Sequence, residues 1–342
     1  MSGKKFRVGI TRDFLKEDGT LGFGDMGLDL LREDPRIEFE FLAERRPELL
    51  ATEIQDYDAL LVLSPQVTAA SLNGVERLKL IARFGVGYDS VDVTACTEQS
   101  VALTITPDGV RRPVAVSALT LILALSHQLL AKDRLTRQGR WHEKLNYMGR
   151  GLTGRTLGIL GLGNIGRELS TITAPLGMRH LAHDPYATDS AAAAVGAELC
   201  SLETLLAESD FLVVCCALVP ATHHLLNADR LARMKPTAYL INIARGPIVD
   251  QQALTTALQE QTIAGAGLDV FEREPIDTTD ALLQLDNVIL SPHALCWTDE
   301  LFAGIGRDAC RSIRAVAAGQ VPPHVVNREV LEQPRFRAKL KS

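Results

Sequence analysis

The chain has 342 residues, of which 46% are hydrophobic and 23% charged, and its formal net charge is −6. This length allows two domains, each with its own core. The basic residues are dispersed along an acidic chain, which argues against a nucleic-acid-binding protein. The start, MSGKKFRVGI, has no secretory apolar segment, and the longest apolar run, residues 114–126, is too short to cross a bilayer. We therefore expect a soluble globular protein without a membrane contact.

The cysteines give no sign of a disulfide framework or a metal site, because none of them has the spacing of metal ligands. The vicinal pair Cys215-Cys216 lies inside the strand-like segment FLVVCCAL, where small side chains are expected to pack in a core. We expect a reducing, cytoplasmic setting without disulfides or zinc. The six cysteines are Cys96, Cys200, Cys215, Cys216, Cys296 and Cys310.

Elements of the first hundred residues alternate between strand and helix. The runs FRVGI, FEFLA, ALLVL, LKLIARFG and VALTIT are predicted strands, and DMGLDLLRE and TAASLNGVERL are predicted helices. This alternation is typical of a parallel α/β sheet. From Pro113 the pattern predicts one long helix that reaches Trp141, with an apolar first half and a charged second half.

A second α/β series follows the long helix. Six strands are predicted in TLGILGLG, MRHLAHD, FLVVCCA, AYLINIA, IAGAGLDV and NVILSP. Six strands with helical crossovers are what a doubly wound dinucleotide-binding domain requires. The last long helical segment, residues 299–320, is predicted to return to the first domain.

A glycine-rich segment, GLGNIG at Gly161–Gly166, has the spacing G-x-G-x-x-G. Alone it could be a structural turn, but it follows a predicted strand and opens a helix, and the next strand ends in Asp184. The glycines permit a tight turn and close approach of a pyrophosphate to the helix N-terminus. The Asp184 carboxylate can accept hydrogen bonds from a ribose diol and would repel a 2′-phosphate. The sequence therefore predicts NAD rather than NADP.

Polar residues follow three later strands of this series. Arg245 comes after AYLINIA, Asp269 and Glu274 come after IAGAGL, and His293 comes after VILSP. Any one of them could be a solvated loop residue. Because ligands bind at the carboxyl edge of open α/β sheets, the set together with a cofactor fingerprint predicts one active-site crevice.

On these motifs the chain resembles the D-isomer-specific 2-hydroxyacid dehydrogenase family, which includes glyoxylate/hydroxypyruvate reductases and phosphoglycerate dehydrogenases. Several matches in one order, over nearly the whole chain, are more specific than any single match. The matching segments are RFGVGYDSVD, GRTLGILGLGNIGRELS, INIARGPIVD, GLDVFEREP, SPHA and GQVPPHVVN.

The resemblance implies an α/β protein of two doubly wound parallel-sheet domains with the active site in the cleft between them. Residues 112–296 would form the Rossmann-type, NAD-binding domain. Residues 1–111 and 297–342 would form a discontinuous, flavodoxin-like substrate domain. It also implies a homodimer held through the cofactor domains, with residues 138–151 at the interface.

The resemblance also assigns roles to the polar residues. His293 would be the general acid/base that protonates the C2 oxygen, and Glu274 would hold its imidazolium. Arg245 would bind the substrate carboxylate and polarise its carbonyl group. Asp269 would contact the nicotinamide carboxamide. The substrate-binding set is Arg83, Val86, Gly87 and Arg245, and the cofactor-binding set is Gly161, Gly163, Asn164, Ile165, Gly166, Asp184, Cys216 and Asp269.

Among the departures from the family pattern, two segments bear on the active site. Ala294-Leu295-Cys296-Trp297 stands where relatives have small glycine-rich residues, so Trp297 either reshapes the substrate pocket or packs at the interdomain hinge. Cys296 is either oxidation-sensitive or an inert small side chain. In the second segment, either Arg111 or Arg112 reaches a second acidic group on the substrate, or both are solvated cations beside the start of a helix.

The sequence therefore predicts an NAD-dependent oxidoreductase that interconverts a 2-oxo acid and a D-2-hydroxy acid by hydride transfer. The alternative is a dinucleotide-sensing binding protein, a corepressor-like scaffold on the same fold. We expect a small-molecule substrate, and we expect the protein to bind neither nucleic acid nor a membrane. Which 2-hydroxy acid is used, and in which direction, stays open.

Overall fold

The structure of the chain, a computed structural model, describes residues 5–342 and divides into two compact units. The first unit consists of the chain up to Val110 together with Trp297–Ser342, and the second is Arg111–Cys296. The predicted domain boundary after residue 111 lies one residue from this division. Which unit binds the substrate does not follow from the division and stays a prediction.

Each unit is built on one sheet of parallel strands. The strands of the first sheet are β1 (Phe6–Ile10), β2 (Ile37–Phe41), β3 (Ala59–Val62), β4 (Leu80–Arg83) and β5 (Ala102–Thr104). The strands of the second sheet are β6 (Thr156–Leu160), β7 (Arg179–His183), β8 (Ala197–Leu199), β9 (Phe211–Val214), β10 (Tyr239–Asn242), β11 (Gly265–Leu268) and β12 (Val288–Leu290).

Helices connect the strands, and several begin at a side chain that accepts a backbone N–H. Asp250 accepts from the Ala253 N–H, and Thr298 accepts from the Leu301 N–H. The helices are α1 (Asp29–Arg32), α2 (Ala51–Ile54), α3 (Ala69–Leu72), α4 (Val93–Glu98), α5 (Pro107–Ser126), α6 (Leu129–Arg137), α7 (Asn164–Thr173), α8 (Asp189–Ala193), α9 (Leu202–Glu208), α10 (Ala228–Leu231), α11 (Gln251–Gln259), α12 (Asp299–Ala317) and α13 (Pro334–Lys341).

The first sheet has the strand order β2-β1-β3-β4-β5. This 2-1-3-4-5 order is that of the flavodoxin-like fold, as predicted. Its strands β3, β4 and β5 are largely apolar and buried, because helices cover both faces of a parallel sheet. Leu60, Val62, Ile81 and Leu103 belong to one buried cluster on this sheet.

The second sheet has the order β12-β11-β10-β9-β6-β7-β8. Counted from β6, this is the doubly wound dinucleotide-binding order, with one further strand at the edge. All six predicted strands are present, so the predicted fold class is confirmed. The seventh, β8, was missed because Ala-Glu-Leu carries no apolar run. Strand order reverses between β6 and β9, and a crevice for a ligand opens at the carboxyl ends of such strands.

The prediction of one long helix from Pro113 to Trp141 is wrong at both ends. Helix α5 begins at Pro107, and it ends at Ser126, where Gln128 adopts a left-handed backbone with φ 51°. The Ser126 carbonyl accepts the Arg150 N–H at 2.7 Å, so the returning chain takes the acceptor that a longer helix would use. Among residues 5–342, α5 alone is long and apolar enough to span a membrane, and 56% of its most apolar window is buried. That burial agrees with the predicted core helix.

Candidate active site

The glycine turn between β6 and α7 has a different steric demand at each glycine. Gly161 has φ +98°, and a Cβ atom there would lie 2.6 Å from the Cys216 nitrogen. At Gly166 a Cβ atom would lie 2.3 Å from the Gly161 carbonyl oxygen, which holds α7 against the strand. At Gly163 it would meet nothing within 4 Å. The turn is therefore closed on the protein side and open where a pyrophosphate would approach.

The first residues of α7 and the end of β7 complete this edge. Asn164 and Ile165 open α7 directly after Gly163, so their backbone N–H groups belong to the free N-terminal turn. Asp184, the residue after β7, accepts the Leu162 N–H at 2.8 Å through Oδ2. Its Oδ1 accepts the Tyr186 N–H at 2.9 Å. This donor set and its open glycine fit a dinucleotide, with the pyrophosphate at the helix N-terminus and a ribose at the carboxylate.

Cys216 lies against this turn, next to Gly161, and its predicted contact with the cofactor stays a prediction. Burial raises the pKa of its thiol to about 11, and the negative charge of Asp184 acts in the same direction. The pKa of the neighbouring Cys215 is also raised, chiefly by burial. Both side chains are therefore neutral thiols, and Cys216 contributes shape rather than reactivity.

Arg245 is held in a turn directly after β10. The buried Asn242 donates from Nδ2 to the Arg245 carbonyl at 3.0 Å and accepts the Ala244 N–H at 3.1 Å. The Arg245 side chain donates from Nη1 to the Ala244 carbonyl at 2.7 Å. Sequence reasoning missed Asn242, although a polar residue inside the apolar run LINIA was the available signal.

The residue after Arg245 brings two loops into backbone contact. A Cβ atom at Gly246 would lie 1.9 Å from the carbonyl carbon and oxygen of Phe271 and 2.4 Å from the Glu272 nitrogen. No side chain fits there without moving one of the two segments. Gly246 thus fixes the Arg245 turn beside the loop that carries Glu274, and sequence reasoning missed this role.

His293 and Glu274 form the pair that the sequence predicts. Nδ1 of His293 lies 2.8 Å from Oε2 of Glu274, and the His293 side chain is 45% exposed. The His293 backbone is left-handed, with φ 55°, and its N–H bonds to the Ser291 carbonyl at 3.0 Å. Such a conformation is uncommon for a histidine and is often retained at functional sites.

The charge state of Glu274 follows from its neighbours. Burial alone would raise the pKa of this carboxyl. Hydrogen bonds from His293 and from the Phe271 N–H, together with the positive charge of Arg245, outweigh burial and hold the pKa below its ordinary value. Glu274 is therefore ionised at neutral pH, and it can stabilise a protonated imidazole.

Asp269 has a structural role that sequence reasoning missed. This buried residue accepts the Ala294 and Leu295 N–H groups through Oδ1, each at 3.0 Å. It therefore shapes the loop that follows His293. The predicted contact with the nicotinamide stays a prediction.

Arg83, Val86 and Gly87 lie in the first unit, at the carboxyl end of β4, and not in the unit that carries His293. Gly85 has φ +132°, and its N–H donates to the hydroxyl of buried Thr106 at 2.9 Å. The Thr106 N–H returns a bond to the Gly85 carbonyl at 3.0 Å. Thr106 therefore anchors the loop before Val86, a role for which the sequence offered no signal.

The sequence left two interpretations open for the arginine pair and for Cys296, and the contacts of these residues favour one of them in each case. Arg112 Nη1 lies 2.8 Å from Glu168 Oε1, and Arg111 Nε lies 3.8 Å from Glu168 Oε2, so α5 is tied to α7. These ion pairs favour a structural role for both arginines. Burial raises the pKa of Cys296 to about 11, with the charge of Asp269 adding to the effect, which favours the inert alternative.

Trp297 is 51% exposed and packs within the first unit. Its ring lies edge-on to Phe23 at 5.3 Å and to Phe302 at 5.6 Å between centroids. An influence of Trp297 on substrate choice stays a prediction. Among residues 5–342, no group of three His, Cys, Asp or Glu side chains could hold a metal ion.

The second unit matches one family model. Residues 119–294 match the NAD-binding domain of the D-isomer specific 2-hydroxyacid dehydrogenases. Over 313 residues the chain is 40% identical to the glyoxylate reductase of Thermococcus onnurineus. This alignment covers 89% of this chain and 93% of that protein.

Solved structures extend the similarity to both units. The D-lactate dehydrogenase of Aquifex aeolicus, solved with NAD and lactic acid, gives a TM-score of 0.81 at 27% identity. A glyoxylate reductase of Paecilomyes thermophila gives 0.78 at 26% identity. Each alignment covers 94% of this chain and 99% of the other.

Proposed function

The chain belongs to the D-isomer specific 2-hydroxyacid dehydrogenase family, and from that premise we propose that it reduces glyoxylate, with His293 and Glu274 as its acid/base pair. It is an NAD-dependent dehydrogenase that interconverts a 2-oxo acid and a 2-hydroxy acid. The choice of glyoxylate is supported by the glyoxylate reductases among its relatives. The observation that carries the residue roles is the 2.8 Å contact between His293 and Glu274.

In the proposed reaction each side chain has one task. NAD, when bound, supplies the hydride chemistry. His293 gives a proton to the oxygen on C2 of the 2-oxo acid, and in the reverse direction it takes that proton back. Glu274 holds Nδ1, so that Nε2 is the nitrogen left for the substrate. Arg245 binds the carboxylate and polarises the carbonyl group, since its planar fork offers several donors.

Residues of the first unit complete the proposal. The backbone N–H groups of Val86 and Gly87, with Arg83 beside them, would bind the substrate carboxylate. Gly85 and Thr106 support this role, because their two hydrogen bonds fix the start of the loop. On the second unit, Asp269 would position the nicotinamide carboxamide.

The test is the oxidation of NADH, followed by absorbance, with glyoxylate, hydroxypyruvate, branched 2-oxo acids and 2-oxoglutarate as substrates. We expect turnover of glyoxylate with NADH and weaker use of NADPH. His293→Ala should lower turnover by about 10²–10⁴-fold while NADH still binds. His223→Ala, which removes an exposed histidine of the same unit, is the control. Binding of NADH without reduction of any 2-oxo acid would contradict the proposal and favour a dinucleotide-sensing protein.

We also propose that the chain forms a homodimer through the second unit. Five large apolar side chains between residues 129 and 148 are exposed, although a monomer would be expected to bury them. They are Leu129 (56% exposed), Leu130 (47%), Trp141 (64%), Leu145 (83%) and Met148 (82%). Leu145→Glu should convert the dimer to a monomer in light scattering, whereas Val321→Glu, at an exposed apolar residue of the first unit, should not. A wild-type monomer would overturn this proposal.

A cytoplasmic location is the last part of the proposal. All six cysteines lie within residues 5–342, and all are free thiols. Free thiols in this number are typical of a reducing compartment. Cell fractionation should recover the protein with the cytoplasmic fraction, and recovery from a secreted or membrane fraction would contradict the proposal.

A further inference from the structure

A cavity lies in the first unit, at the edge of the sheet opposite to the Val86–Gly87 loop. It has a volume of about 510 Å³ and opens at the amino ends of β1, β3 and β4. Asp58 directly precedes β3, and Lys79 directly precedes β4. The proposed reaction uses no residue of this cavity. Its charged lining residues are Lys5, Arg36, Asp58, Arg77, Lys79 and Lys341.

Cations exceed carboxylates around the cavity. Arg36 is neutralised by Asp34 at 2.6 Å, and Lys5 lies 3.9 Å from Glu38. The remaining Arg77, Lys79 and Lys341 face one side-chain carboxylate, that of Asp58. The carboxylate of Ser342, which also lines the cavity, and the carbonyl ends of α12 and α13, about half a unit each, cancel most of this excess. The case for an anion therefore rests on the lysine that the lining leaves without a hydrogen-bond acceptor.

Asp58 and Arg77 form a fixed floor. The Asp58 side chain is 9% exposed, and its Oδ2 accepts the Arg7 N–H at 2.8 Å and Nε of Arg77 at 3.0 Å. Arg77 also donates to the Lys5 carbonyl at 3.1 Å. The Asp58 charge is therefore already shared by Arg77, and little of it remains for another cation.

Lys79 forms an ion pair with Asp58 but has no hydrogen-bond acceptor among these residues. Its side chain is only 8% exposed, and Nζ lies 5.5 Å above the centre of the Phe6 ring. The carboxylate nearest to Nζ is that of Asp58, at 3.6 Å, which is too long for a hydrogen bond. Among the residues from 5 to 342, none accepts a hydrogen bond from this ammonium group. Because Lys79 lines the cavity, an acceptor for its ammonium group can be supplied from there.

A neighbouring lysine reports the same environment. Lys339 donates to the Leu78 and Gln99 carbonyls at 3.0 and 2.9 Å. Burial lowers the pKa of this ammonium to about 8, and the positive charges of Arg335 and Lys79 lower it further. Burial is the larger cause of this shift, and Glu76 opposes the two cations, so the shift indicates only that Lys79 and Arg335 lie near Lys339.

We propose that this cavity binds a small multivalent oxyanion, a phosphate ester or a polycarboxylate, with Lys79 as the buried anchor and Lys341 at the rim. A cavity of about 510 Å³ accommodates a metabolite larger than a free phosphate ion. The site would be separate from the glycine turn, which lies in the other unit.

Isothermal titration calorimetry on the full chain tests the site. The protein is saturated with NADH, so that the glycine turn is filled, and the ionic strength is held constant. The probes are inorganic phosphate, ribose 5-phosphate, citrate and uncharged ribose. We expect saturable binding of an anion but not of ribose. Citrate against ribose 5-phosphate distinguishes a carboxylate ligand from a phosphate ligand.

Lys79→Met keeps the aliphatic stem over Phe6 and should weaken binding by about tenfold or more, because it removes a charge-assisted hydrogen bond. Lys16→Gln, at an exposed lysine of the same unit, is the matched control and should bind as wild type. If Lys79→Met fails to fold, Lys341→Gln decides, since it should also weaken binding. No saturable binding of any anion, or unchanged binding in the lysine variants, would overturn the proposal.

Discussion

Nδ1 of His293 lies 2.8 Å from Oε2 of Glu274, although the two residues are 19 positions apart in the chain. Glu274 is in turn held by the Phe271 N–H, which bonds to its other oxygen at 3.0 Å. The carboxylate therefore has one oxygen fixed by the backbone and one directed at the imidazole. This arrangement sets which histidine nitrogen is left for the substrate.

Glu274→Gln should lower kcat by about 10²-fold or more, because an amide cannot stabilise the imidazolium as a carboxylate does. Steady-state kinetics with a saturating 2-oxo acid and NADH measures this loss. Glu272→Gln makes the same charge change in the same loop, where the carboxylate pairs with His224 at 2.6 Å, and is the control. Equal losses of kcat in both variants would contradict a specific role for Glu274.

Gly163→Ala should fold normally but bind NADH more weakly, by about tenfold or more. A methyl group at Gly163 meets no protein atom within 4 Å, so stability should not change. The same methyl group would occupy the space through which a pyrophosphate reaches the start of α7. Fluorescence titration with NADH and the melting temperature together measure the outcome.

The control for this variant is Gly22→Ala, in the first unit, where a Cβ atom would meet no protein atom closer than 3.4 Å. It should leave both NADH affinity and stability unchanged. If Gly163→Ala bound NADH like Gly22→Ala, the proposed position of the pyrophosphate would be wrong.

The sequence predicted the parts of this protein that rest on local patterns. Apolar runs indicated eleven of the twelve strands, and the glycine spacing indicated the turn after β6. Polar residues at strand ends indicated His293 and Glu274, because parallel strands bring their carboxyl ends to one edge.

What the sequence missed depends on contacts between distant segments. At the break after Ser126, the Ser126 carbonyl accepts the N–H of the distant Arg150, and no pattern within the helix predicts this contact. The close approach of Gly246 to Phe271 and the hydrogen bonds of Asp269 to the loop after His293 likewise join separate loops.

Gly246→Ala should lower the free energy of unfolding by about 3 kcal/mol, since the new methyl group overlaps the Phe271 carbonyl and one backbone segment must move. Turnover should fall as well, because the move displaces Arg245 from the loop of Glu274. Urea denaturation measures the first effect and steady-state kinetics the second. Gly22→Ala is again the control, and a Gly246→Ala variant as stable as that control would contradict the close backbone contact.

Asp34 should stabilise the first unit at neutral pH and lose this contribution in acid. Hydrogen bonds from Arg36 lower the pKa of the buried Asp34 carboxyl from 3.8 to about 2, against the opposing effect of burial. A lowered carboxyl pKa stabilises the folded state above the unfolded value, so the gain is present above about pH 4 and disappears as the pH falls towards 2. Asp34→Asn should therefore lower the free energy of unfolding by about 1–2 kcal/mol at neutral pH, allowing for the exposure of Arg36, and by much less near pH 2.

The control is Asp29→Asn, in the exposed pair with Arg32, which should change stability little at any pH. Urea denaturation across this pH range would contradict the prediction if the difference between Asp34→Asn and wild type did not shrink in acid.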